Sequence, residues 1–130
     1  MPFDTIGAAA YRRAVMTSED PDLDWIVRGW RGLRSYLARA IRAIEQGDLA
    51  AQTSACRGAS DLLVLLQRIT PAADDTSLGH RLRTIYDALH LQIAKANAEQ
   101  DKRALQQIVQ ALARLESDVQ GAYAGASAVP

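Results

Sequence analysis

The sequence predicts an all-α protein, an antiparallel up-down four-helix bundle with a short N-terminal helical segment. Three observations carry that expectation. Apolar residues recur at alternating steps of three and four in several long stretches, the spacing that keeps them on one narrow face of a helix. Alanine and leucine supply most of the apolar 48% while aromatics supply only 5%, a mixture that favours helices over sheets. Helix caps and breakers divide the 130 residues into four long segments joined mostly by short turns, which makes neighbours antiparallel. No convincing alternating strand occurs.

The first long helix runs from Asp20 to Gly47. Asp20 is suited to the N-cap, Pro21 to the first helical position, and Asp22 and Asp24 to the positive end of the helix dipole. Leu23, Ile26, Trp30, Leu33, Leu37, Ala40 and Ile44 form its seam, and Arg28, Arg31, Arg34, Arg39 and Arg42 fall on the opposite, solvated side. Between the two lies a strip of Trp25, Gly29, Gly32 and Tyr36. A glycine inside a helix costs roughly 1 kcal/mol relative to alanine, so two of them imply close approach of another helix. That helix is either a neighbour in the fold or a segment of a partner chain.

Gly47 suits the C′ position, and Asp48 caps a second helix over about 48 to 69. Its expected inner positions are Ala55, Ala59, Leu62, Leu66 and Ile69, with small residues in its first half. The run Leu62 to Leu66 is apolar all round, so more than one face must be covered. Thr70 to Asp75, with Pro71, reads as the longest loop. Thr76 or Ser77 caps a third helix to about Asn97, with the stripe Leu78, Leu82, Ile85, Leu89 and Ile93 and with Tyr86 and Leu91 beside it. A short turn, 97 to 100, leads to Asp101, the cap of a fourth helix with the heptad Leu105, Ile108, Leu112, Leu115 and Val119. The expected division is therefore an N-terminal segment at 1–19, the bundle at 20–120 and a flexible Gly/Ala/Ser tail at 121–130.

Composition narrows the chemistry. Fifteen basic and fifteen acidic residues cancel, so no general attraction to nucleic acid or an anionic membrane is expected. No stretch reaches the roughly 18 apolar residues of a membrane span, and no signal peptide is legible, so a cytoplasmic protein is expected. Cys56 is the one cysteine. It reads as a small core thiol, since no base stands near it to make it a nucleophile. Asp87-x-x-His90 is a lone near-match to the Glu-x-x-His pairs of di-iron bundles, and His80 is out of register with it. Neither an enzyme nor a cofactor or metal site is expected.

The order of features resembles the flagellar secretion chaperones of the FliS type. Tyr11 followed by Thr17-Ser18-Glu19-Asp20-Pro21 is similar to the family's entry into the first helix. Trp30-Arg31-Gly32, Tyr36-Leu37 and Ala43-Ile44-Glu45-Gln46-Gly47-Asp48 are similar to its first-helix motifs, with Trp30 and Arg31 standing where the family has Tyr and Asp. Ile85-Tyr86-Asp87, Ala96-Asn97 and Asp101 are similar to its third helix and the start of its fourth. The resemblance covers about residues 11 to 119. It implies an export chaperone that binds the C-terminal helical region of flagellin in an apolar groove, prevents premature polymerisation, and later meets the export gate. On that reading the client-binding residues are Tyr11, Trp25, Ile26, Gly29, Trp30, Gly32, Tyr36, Leu63 and Tyr86. Tyr11 either anchors the N-terminal segment or, as the resemblance implies, belongs to a cap over the groove. The competing expectation is a helical adaptor or self-associating protein unrelated to flagella, and either a monomer or a dimer is compatible with the sequence.

Overall fold

A computed structural model describes residues 23–72 and 77–128, and the side chains of 23–72 and 77–122. The described residues form four helices and no strand: α1 (Leu23–Gln46), α2 (Leu49–Ile69), α3 (Leu78–Glu99) and α4 (Lys102–Ala128). The helices close a ring in which α1 packs on α2 and α4, and α3 packs on α2 and α4. The α1–α2 contact is the most extensive of the four and α3–α4 the least. Gly29 faces Leu66, Gly32 faces Leu62 and Tyr36 faces Gly58, so α1 and α2 run in opposite senses. Arg31 meets Glu116 while Glu45 meets Lys102, which gives the same relation between α1 and α4. Asp20, Pro21 and Asp22 at the expected start of the first helix, and the expected N-terminal segment at 1–19 with Tyr11, lie outside the described residues.

Capping chemistry explains the boundaries. Asp48 Oδ1 accepts from Ala51 N–H and Asp101 Oδ1 from Ala104 N–H, each at 3.0 Å, and Ser77 Oγ accepts from His80 N–H at 3.1 Å. Each satisfies an amide that has no partner within its helix. At the end of α1, Gly47 has φ 69°; its N–H donates to Ile44 O and that of Asp48 to Ala43 O. This is a Schellman termination, and it needs the left-handed backbone that glycine adopts freely. The end of α3 repeats the pattern with a residue that does not favour it. Gln100 has φ 53°, its N–H donates to Asn97 O, and Asp101 N–H donates to Ala96 O. The turn into α4 is thus only Gln100 and Asp101, shorter than the expected 97–100.

Two other expectations are corrected. The fourth helix does not stop at Gly121: α4 continues to Ala128, because alanines supply helix propensity enough to carry the chain through its glycines. The buried stripe of α3 is Gly79, Leu82, Tyr86, Leu89, Ile93 and Ala96, again at steps of three and four but turned from the expected one. Leu78 and Ile85 are each 36% exposed and Leu91 75%. Tyr86 decides the rotation, since its ring is fully buried and its hydroxyl is partnered.

Apart from Leu23 and Ile44, which are partly covered, the expected α1 seam is buried, as are Leu105, Ile108 and Leu112 of α4. The α2 core, Ala55, Cys56, Ala59, Leu62, Leu63 and Leu66, ends in two buried polar residues, Gln52 and Thr70. Gln52 Nε2 donates to Asn97 O and Asn97 Oδ1, both at 2.8 Å, so the start of α2 is tied to the end of α3. Such a group is tolerated in a core only because its donors are satisfied. Within the Leu62 to Leu66 run, Val64 is 43% exposed and the other four side chains are at least partly covered.

Candidate functional site

The glycine strip of α1 seats a helix of the same chain. A Cβ on Gly29 would lie 2.4 Å from Leu66 Cδ2, and one on Gly32 would lie 3.1 Å from Leu62 Cδ2. The reciprocal feature is Gly58 of α2: a Cβ there would lie 2.4 Å from Tyr36 Cε1. Leucine side chains of α2 therefore lie over glycines of α1, and the Tyr36 ring of α1 lies over a glycine of α2. The two aromatics of the strip are half-buried, and each has an arginine of its own helix over its ring: Arg28 over Trp25 at 4.9 Å and Arg39 over Tyr36 at 5.1 Å.

Beneath the strip, a polar chain links three helices. Trp30 Nε1–H donates to the Tyr86 hydroxyl at 3.0 Å. Tyr86 is also hydrogen-bonded to the Thr70 side chain. Thr70 Oγ1–H donates to Leu66 O at 2.6 Å. Burial pushes the Tyr86 phenol above its ordinary 10.0. Burial likewise raises the Cys56 thiol, which holds it in the unreactive protonated form. Among the described residues no group of His, Cys, Asp and Glu is arranged to hold a metal ion.

The structure sorts the expected client-binding residues into two sets. Ile26, Gly29, Trp30, Leu63 and Tyr86 are buried. Trp30 and Tyr86 touch each other there, and none of the five presents a surface in this conformation. Trp25, Gly32 and Tyr36 are partly exposed along the α1–α2 edge. Tyr11 lies outside the described residues. The arginine face is not purely solvated, because Arg31 and Arg34 both reach Glu116 of α4, at 3.1 and 2.7 Å. Arg34 and Glu116 keep only 25% and 12% of their side-chain exposure.

The opposite side of the bundle is open. Between α3 and α4 runs a cleft of about 600 Å³ lined by Leu89, Gln92, Ala104, Gln107, Ile108 and Arg114, together with Gln110 and Ala111. Leu89 and Ile108 form its floor, almost fully buried, and the exposed side chains of Gln92, Gln107 and Gln110 form its shoulders. Ile85 and Ala88 are exposed on the same helix upstream. The expected site did not include this cleft. Its sequence signal is the pair Ala104 and Ala111, seven residues apart beside the α4 heptad, where small side chains leave room that the fold does not fill. Among the described residues, what the two faces offer is apolar contact with hydrogen-bonding margins.

A family model described as flagellar protein FliS matches residues 7–125. No curated protein matches the chain.

Proposed function

The chain belongs to the FliS family of flagellar proteins, and from that premise we propose that it binds the C-terminal helical region of flagellin and keeps it monomeric and export-competent. Membership of a flagellar chaperone family supports export chaperoning in general. The observation that carries the finer reading is that match, extending over residues 7–125, on a bundle with an open cleft of apolar floor and polar shoulders.

The physical logic is helix-in-groove recognition. A client segment that is apolar on one face and polymerises through that face is held apart from its own kind when a groove covers it. Buried aliphatic surface supplies about 25 cal/mol per Å², and ordering the client segment consumes part of that. No bond is made or broken, and release follows from competition at the next station, the export gate. No described helix is long and apolar enough to cross a membrane, consistent with a chaperone that meets its client in the cytoplasm.

The test is co-purification with full-length flagellin and with flagellin lacking its C-terminal region. Retention of the full-length client alone is expected. Equal retention of both forms, or of neither, overturns the proposal.

A further inference from the structure

We infer that the exposed stripe of α2 is a self-association surface for a second copy of this chain. The two α2 helices pair antiparallel about a two-fold axis, and Arg57 of each faces the partner's Asp61. This goes beyond client binding and uses neither the α1–α2 edge nor the α3–α4 cleft.

The stripe is a second seam on a helix whose first seam is already in the core. Ala50, Ser54, Arg57, Asp61, Val64 and Arg68 are all exposed, at steps of four, three, four, three and four. That is the spacing of coiled-coil contact positions, and it occurs on the side of α2 that faces away from the other described helices. In the apolar run Leu62 to Leu66 it is Val64 that the fold leaves outside, 43% exposed. Nearer the start of α2, Ala50, Thr53, Ser54 and Arg57, with Leu49, line a recess in the surface. Positions i, i+3, i+4 and i+7 are the four corners of the hole that takes a knob from a facing helix.

Symmetry supplies the knob. In an antiparallel pair centred between Arg57 and Asp61, Ser54 lies opposite the partner's Val64 and Ala50 opposite the partner's Arg68. Each recess thus receives a valine, and each alanine leaves room for an arginine stem. The centre carries the charge complementarity. Arg57 and Asp61 are in no ion pair among the described residues, and the two-fold axis joins them into two reciprocal pairs. A parallel pairing in register would set arginine against arginine and aspartate against aspartate, so the charges select the antiparallel sense. A seam of this length is a small isologous interface, so a Kd on the order of 100 µM is expected.

The experiment is sedimentation equilibrium of the full chain over roughly 10 µM to 1 mM, a range that brackets such a Kd. Wild type is compared with Val64→Lys, Arg57→Asp, Asp61→Arg and an equimolar mixture of the last two. The substituted positions are exposed, and an unchanged melting curve checks the fold of each variant. Expected are a concentration-dependent dimer for wild type and association weakened by about tenfold or more for each variant alone. In the mixture one chain carries two aspartates at 57 and 61 and the other two arginines, so dimerisation should return to within about threefold of wild type. A local effect of either substitution on its own helix would not be reversed by mixing. Variants that associate as wild type does, or a mixture no stronger than its components, overturn the proposal. So does a wild type that stays monomeric; loss of flagellin retention by Val64→Lys would then give the stripe to the client instead.

Discussion

The α1–α2 and α3–α4 interfaces both carry small residues along their helices, yet one is the tightest contact in the bundle and the other the loosest. At α1–α2 the small residues are glycines, each opposed by a large side chain: Gly29 by Leu66, Gly32 by Leu62 and Gly58 by Tyr36. At α3–α4 they are alanines, Ala104 and Ala111, with no ridge laid into them and a cleft alongside. A small residue therefore marks close approach only when its partner helix supplies the bulk to fill the space. Where the bulk is absent, the same signature marks a space that the fold leaves open.

Substitutions that remove or add bulk at the two interfaces sharpen that contrast. The largest loss is expected for Trp30→Ala, at about 4 kcal/mol in denaturant titration, since it empties a fully buried site beside the close interface and strips Tyr86 of its donor. Next, Gly29→Leu should cost about 3 kcal/mol by overpacking against Leu66. The matched change Ala111→Leu in the open cleft should stay within about 0.5 kcal/mol. Equal costs at the two positions would erase the distinction between the interfaces.

Smaller effects probe how each hairpin is held. Gln100→Gly should stabilise the chain by about 1 kcal/mol, because it relieves a left-handed residue; the 3.4 Å contact of Gln100 Nε2 with Gln52 Oε1 is the offset. The Tyr86 phenol contributes a pH signature. Its folded pKa lies above the ordinary 10.0, so its contribution is complete below pH 10.0 and is lost as pH rises through the higher folded value. Alkaline unfolding curves should accordingly be flatter for Tyr86→Phe than for wild type.

Much of the architecture was legible because its signals are local. Gly47, Asp48, Ser77 and Asp101 announce turns through their own backbone and side-chain chemistry, and each sits where those preferences place it. The heptad of α1 left little choice of face. In α3 two readings at steps of three and four were available, one through Leu78 and Ile85 and one through Gly79 and Tyr86. What selects the second is the buried partnership of Tyr86 with Trp30, fifty-six residues away. Gln52 and Thr70 were not legible for a related reason: a polar residue becomes a core residue only when distant acceptors satisfy it. The glycine strip announced close approach but not from which chain, and the α3–α4 cleft escaped notice because a space is a property of two helices rather than of either sequence.

The two short terminations at Gly47 and Gln100 have a consequence for the order of folding. Each joins successive helices through only two residues, so two helical hairpins close over short loops with little entropic penalty. Their fates then differ. The α1–α2 hairpin contains its own interlocked interface and is suited to persist before the rest assembles. The α3–α4 hairpin is tied to the first pair through Tyr86, Asp87 and Asn97, which accept from Trp30, Gln67 and Gln52. Amide exchange under native conditions should therefore proceed earlier in α3 and α4 than in α1 and α2, with the most persistent amides flanking Gly29 and Gly58.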